Sequence, residues 1–164
     1  MELNAHNNQE YPPMHTAEFD ISLIEESVDL FIDVFSKAPW NDVFESRDTI
    51  IDFFNAFIGL PNFKGYHLIN GNNKVIGVAI GFTKPWLKDG RLRYEYFIDQ
   101  LYIDHLMQRK GLGTYFLKEI EKKLKSENIS DIILNTELTS PAYNFYIKTG
   151  FHDMKEFGFL SKEV

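Results

Sequence analysis

The stretch from Leu101 to Gly113 reads Leu-Tyr-Ile-Asp-His-Leu-Met-Gln-Arg-Lys-Gly-Leu-Gly, and its second half has the composition of an anion-binding turn. Gln108, Arg109, Lys110, Gly111 and Gly113 lie between an apolar run and a helix-period pattern. A helix start leaves four N–H groups without intrahelical partners, and the aligned peptide dipoles make that end positive. Glycines carry no Cβ, so a phosphate can approach those amides closely. Arg109 and Lys110 add two formal charges at the same point. The plain alternative is a strand-to-helix turn whose glycines serve packing alone. No Gly-Lys-Ser/Thr follows, so this is not a Walker A loop, and the third glycine of a dinucleotide fingerprint is missing.

Two further groups could move protons. Glu95 and Asp99 precede the turn on the same apolar run, and either could act as a base or form a plain salt bridge. Tyr143 and Tyr146 follow it, within Pro141-Ala142-Tyr143-Asn144-Phe145-Tyr146-Ile147-Lys148-Thr149-Gly150-Phe151. A phenol between Phe145 and Phe151 reads equally well as a core aromatic. The chain has no cysteine, which excludes thiol catalysis, disulfides and Cys-zinc sites. His67, His105 and His152 have no metal-ligand spacing, so no metal is expected.

Composition sets the outer limits. The 164 residues hold 17 Lys and Arg against 24 Asp and Glu, a net charge of −7. With 44% hydrophobic and 15% aromatic residues, one well-cored domain is expected. The negative balance disfavours nucleic acid and mildly favours a cationic ligand. No apolar run reaches the ~18 residues of a membrane span, and the N-terminus lacks the basic start of a secretory signal. A soluble cytoplasmic protein is expected.

The elements that would position these groups follow from periodicity. Residues 1–13 read as a loose lead-in and 14–164 as the domain. A helix starts at Ser22, with Ile24, Val28, Phe31 and Phe35 on one face, a Ser22–Glu25 capping box and a stop at Pro39. A second spans Ser46 to Ile58, and Gly59 and Pro61 end it. Gly65 to Ile69 and Lys74 to Phe82 form a hairpin. Residues 83–92, with Pro85, Trp86, Asp89 and Gly90, read as a loop. Then come a strand from Arg93 to Ile103, a helix from Gly111 to Ser126, a strand from Asp131 to Thr136, a helix from Ser140 to Thr149 and a strand from Phe151 to Leu160. That order predicts an α/β fold with a mixed sheet and helices on both faces.

Gln108 to Gly113 resembles the Gln/Arg-x-x-Gly-x-Gly/Ala pyrophosphate loop of the GNAT superfamily of N-acetyltransferases. The run from Pro141 to Phe151 is similar to that family's Ala-x-x-Phe-Tyr-x-x-x-Gly-Phe signature, about 30 residues later and in the family's order. Pro39-Trp40 is also found in many members. The resemblance covers roughly residues 16–160 and implies a single-domain, mostly antiparallel central sheet. It also implies acetyl-CoA as cosubstrate and a primary amine as acceptor. By resemblance, the amides of Leu101, Tyr102 and Ile103 would hold the acetyl carbonyl and pantetheine arm. Gln108 and the amides of Arg109, Lys110, Gly111, Leu112, Gly113 and Thr114 would wrap the pyrophosphate. Thr139 stands where the family often has an Asn that contacts the pantetheine arm. Tyr146 matches the tyrosine that protonates the departing thiolate, with Tyr143 second. Gln100 stands where a Glu base is common, which leaves Asp99, Glu95 or a water chain as the base.

Among acceptors, a small cationic amine, aminoglycoside-like or polyamine-like, is favoured over a protein amine. The grounds are the acidic balance and the carboxylates Asp89, Glu95, Asp99 and Glu137 near the expected cleft. Ile133 to Glu137 is also similar to aminoglycoside-type members, and Trp86 lies on the acceptor side. Expected partners are therefore the amine and, in a homodimer, a second copy of the chain. A non-catalytic CoA-binding module that regulates a partner is the rival reading.

Overall fold

The structure, a computed structural model, describes residues 13–164; the expected loose lead-in lies, up to residue 12, outside the described residues. The chain divides after Leu134 into two compact units. The first holds a five-stranded sheet in the order β1 (Met14–Glu18), β2 (Phe63–Asn70), β3 (Val75–Lys88), β4 (Arg91–Ile103), β5 (Asp131–Leu134). Neighbours are antiparallel except β4 and β5, which are parallel. Parallel neighbours need a crossover, and α3 (Leu112–Ser126) supplies it.

One face of the sheet carries α1 (Ile24–Phe35) and α2 (Arg47–Ile58). Val28, Phe31, Val34, Ile50 and Phe54 from these helices share a core with Val78, Ile80 and Tyr102. Phe31 meets the Tyr102 ring edge-on at 5.5 Å, and the Tyr102 hydroxyl donates to the Ser27 carbonyl at 2.7 Å. The buried side of α3, Leu112, Phe116, Leu117, Ile120 and Leu124, packs on β4 and β1.

A buried histidine ties α1 to the sheet. His67 on β2 is fully buried against Phe19, with ring centroids 4.3 Å apart. The Ser27 hydroxyl donates to the Leu23 carbonyl at 2.9 Å, so it accepts from Nε2–H of His67, 2.9 Å away. Nδ1 accepts the Asp20 N–H at 3.4 Å. Both ring nitrogens are used by the neutral form alone, and burial pushes the pKa down to about 4.

Three expectations are corrected, and one strand is added. The Ser22–Glu25 box does not form, because Ile21–Leu23 is a short 3-10 turn capped by the Asp20 side chain, and α1 starts only at Ile24. Residues 83–92 are not a loop: β3 and β4 continue as a ladder to Lys88 and Arg91, closed by Asp89 and Gly90 at φ 52° and 72°. Met14–Glu18, to which the periodicity assigned no element, is an edge strand on β2. Phe151 to Leu160 forms no strand.

The second unit contains α4 (Pro141–Lys148). Ser140 caps it by accepting from the Tyr143 N–H, and Pro141 fills the first position, where a missing N–H costs nothing.

Candidate coenzyme and acyl-transfer site

The expected site begins at a break in the β3–β4 ladder. Ile80 pairs with Gln100 and Gly81 with Ile98, so Asp99 is the extra residue of a β-bulge and has no cross-strand partner. A Cβ on Gly81 would stand 1.9 Å from the Phe97 carbonyl oxygen and 3.2 Å from the Asp99 nitrogen. Only glycine lets the strands approach this closely. A lone glycine inside a strand pattern signals such an approach, and Gly81 was the signal the sequence reading passed over.

The bulge resets which amides face outward. Asp104 N–H donates to the Ile76 carbonyl at 2.9 Å, and the register continues through Gly77–Ile103, Val78–Tyr102 and Ala79–Leu101. Directions alternate along a strand, so Tyr102 bonds toward β3, while Leu101 and Ile103 turn N–H and C=O to the opposite edge. On that edge β5 accompanies β4 no further than Ile98. Of the three expected amide donors, Leu101 and Ile103 thus face the open edge and Tyr102 does not. The Tyr102 side chain lies in the core.

The turn that follows presents its backbone outward. A 3-10 turn, His105–Met107, is capped by the Asp104 carboxylate at the Leu106 N–H, 3.0 Å away. Gln108 folds back so that Nε2 donates to the Ile103 carbonyl at 3.0 Å, joining the turn to the open edge of β4. Arg109 and Gly111 both take left-handed conformations, at φ 59° and 79°. Gly111 is the N-cap of α3, and no side chain caps that helix. The first-turn amides at Leu112, Gly113 and Thr114 therefore end beside an exposed turn carrying Arg109 and Lys110. This donor set fits a diphosphate.

The carboxylates separate. Glu95 is buried at 4% exposure and held by Lys84, Nζ to Oε1 at 2.7 Å. Asp99 is half-buried and accepts from the Gln100 amide at 3.1 Å, which leaves it further acceptor capacity. A regular strand would put Glu95 and Asp99, four residues apart, on one face, but the bulge interrupts it: past Phe97, the face of Glu95 continues at Gln100 and Tyr102. Of the carboxylates expected near the cleft, Glu95 is taken by Lys84 and Asp99 keeps free acceptor capacity. Asp131 faces Lys88 at 3.8 Å, and Asp89 is a turn residue at the hairpin tip.

In the second unit Tyr146 packs between Phe145 and Phe151, each ring 5.3 Å away. Burial pushes its phenol up to about 12, so it holds its proton through neutral pH. Tyr143 donates its hydroxyl to Asp153 at 2.9 Å, a bond that raises its pKa. Thr139 is exposed in the turn before α4.

A model of the Acetyltransferase (GNAT) family matches residues 24–151. The chain belongs to the GNAT acetyltransferase family. No curated protein matches it by sequence. Among solved structures, a possible acetyltransferase from Clostridium difficile 630 superposes with a TM-score of 0.76 at 17% identity, over 93% of this chain and 98% of that one. An aminoglycoside 6'-N-acetyltransferase from Acinetobacter baumannii gives 0.69 at 13%, over 92% and 99%. An aminoglycoside acetyltransferase from an uncultured soil metagenomic sample, solved with sisomicin, gives 0.67 at 14%, over 92% and 96%. At these identities the likeness carries the fold. The family assignment makes this GNAT protein an N-acetyltransferase, of a family that generally uses acetyl-CoA. No helix among the described residues is long and apolar enough to cross a membrane.

Proposed function

We propose that the enzyme binds acetyl-CoA at the start of α3 and transfers its acetyl group to the primary amine of a small cationic acceptor. The observation that carries the coenzyme reading is the uncapped N-terminus of α3, entered through left-handed Arg109 and Gly111. The amides of Arg109 to Thr114 bind the pyrophosphate, and Gln108 holds that turn on β4. Leu101 and Ile103 orient the pantetheine arm along the edge that β5 leaves open. Acetyl-CoA supplies the activated acetyl group.

An amine of pKa near ~10 must shed its proton before it attacks. Asp99 takes that proton, directly or through water, in preference to Glu95, which Lys84 already holds. Tyr146, protonated at neutral pH, supplies the proton that the leaving thiolate needs. The reaction is direct attack in one complex of both substrates, in the cytoplasm and with no metal.

A small cationic acceptor is supported by the charge layout. Residues 20–58, which include α1 and α2, hold nine Asp and Glu against Lys37 and Arg47. Such a field steers cations toward the protein. The aminoglycoside acetyltransferases among the structural neighbours point the same way. The test is thiol release from acetyl-CoA against a panel of aminoglycosides, polyamines, amino acids and N-terminal peptides. The polycations should give the largest kcat/KM. Best turnover with peptides would refute the acceptor class, and no release with any amine would favour the non-catalytic module.

A further inference from the structure

Residues 104–111 join β4 to α3 and set the shape of the turn at the start of that helix. Three bonds tie them to the sheet or to one another. The Asp104 N–H donates to the Ile76 carbonyl at 2.9 Å, the Asp104 carboxylate accepts from the Leu106 N–H, and Gln108 Nε2 donates to the Ile103 carbonyl. Leu106 is 69% exposed, so apolar packing does not fasten the middle of the connection. Arg109 then takes a left-handed conformation, which costs free energy that the surrounding bonds must offset.

A fourth tie runs to α1. His105 Nδ1 lies 2.8 Å from Asp33 Oδ2, a residue 72 positions earlier in the chain. Lys37 Nζ lies 2.6 Å from Asp33 Oδ1, so each carboxylate oxygen has its own partner. With Nδ1–H donated to Asp33, Nε2 is left to accept from Lys37, 3.4 Å away. Asp33 is rigidly mounted. It occupies the last turn of α1, where Phe31 and Phe35 pack on the Tyr102 ring at 5.5 and 5.8 Å. Beside this pair α1 and the connection part, and Glu26, Asp29, Asp104 and Leu106 line a cleft of about 450 Å³. The His105 carbonyl passes the restraint on by accepting the Gln108 N–H at 3.4 Å, one residue before Arg109.

We propose that Asp33 and His105 are positioning residues for the coenzyme: their bond fixes the 3-10 turn on α1 and so holds the following turn in its diphosphate-binding shape. The inference rests on the coenzyme reading of the start of α3. Neither side chain acts on the thioester, so their loss falls on coenzyme affinity and not on the chemical step. Charge and position have opposite signs here. A carboxylate near a diphosphate repels it, so charge alone predicts that removing Asp33 tightens binding. Positioning predicts that removing it weakens binding.

Titration calorimetry of acetyl-CoA and steady-state kinetics of the full chain test this. Asp33→Ala and His105→Ala should each raise Kd and KM for acetyl-CoA about fivefold, the upper range for a half-exposed ion pair. Their kcat should stay within about twofold of the parent. Both side chains are partly exposed, and unchanged circular dichroism would show that the fold survives. Combining the two substitutions should cost no more affinity than either alone. Asp33→His with His105→Asp in one chain should return Kd to within about twofold of the parent, a rescue that a merely structural role at either position does not give. Unchanged or tighter binding by Asp33→Ala, additive losses in the double variant, or no rescue by the exchange overturns the proposal. Gly111→Asp separates it from the reading beneath it. If Gly111→Asp weakens binding and Asp33→Ala does not, the positioning role alone falls. If Gly111→Asp leaves binding unchanged, the coenzyme reading falls and the positioning role with it.

Discussion

Gly81 faces the bulge at Asp99 so closely that any Cβ at position 81 would sit 3.2 Å from the Asp99 nitrogen and 1.9 Å from the Phe97 carbonyl oxygen. The neighbour at 1.9 Å is backbone, which cannot swing aside. Gly81→Ala should therefore destabilise the protein by about 2 kcal/mol or more, the upper range of overpacking costs. For a chain of this size that is roughly 4–8 °C in Tm. Thermal unfolding checks it, and an unchanged Tm would mean that the strands are not in contact at the bulge.

The two strand carboxylates should behave differently. Asp99→Asn should lower kcat by ~10²-fold or more, a usual cost for losing a general base, with little change in coenzyme affinity. Glu95→Gln removes the partner of Lys84, whose side chain is 41% exposed and can turn to water. It should leave kcat within a few-fold of the parent. Steady-state kinetics of the two variants decide between them, and the reverse ranking would make Glu95 the base.

Tyr146→Phe removes a hydroxyl and keeps the ring between Phe145 and Phe151. It should cost ~10²–10⁴ in kcat at nearly constant acetyl-CoA affinity. Because the phenol is pushed up to about 12, the parent should show no loss of kcat from its ionisation below pH ~10. A kcat within about twofold of the parent, with chemistry rate-limiting, would move the role to Tyr143, for which Tyr143→Phe is the matching variant.

His67 makes stability depend on pH. Its folded pKa of about 4 lies below the ordinary histidine value of 6.5, so the unfolded chain takes up the proton first as pH falls. Stability is complete above pH ~6.5 and declines toward pH ~4, by roughly 3 kcal/mol in all. His67→Gln should remove most of the difference in urea midpoint between pH 7 and pH 5. An equal difference in that variant would assign the pH dependence to other groups.

Much of this fold was legible in the sequence, because helical and alternating periods survive wherever one face is buried. Both ends of α2 follow from Ser46 and Gly59, and α3 from its stripe of Leu112, Phe116, Ile120 and Leu124. The ladder over 83–92 was missed because Pro85 and Asp89-Gly90 look like loop punctuation. Asp-Gly is also a two-residue hairpin turn, and both residues have positive φ here. Phe151 to Leu160 has strand-like aromatics, but composition alone cannot supply a ladder partner. The turn at 108–114 was legible through its glycines and charges. The bulge that turns Leu101 and Ile103 outward was not, since it depends on a register between two distant segments.

The central claim is that the uncapped start of α3 holds the coenzyme diphosphate. Gly111→Asp places a carboxylate and a Cβ at that left-handed cap. Titration calorimetry of acetyl-CoA into the folded variant should show affinity lowered at least tenfold, about 1.4 kcal/mol, against the parent. Affinity equal to the parent's, in a variant with unchanged circular dichroism, would contradict the account.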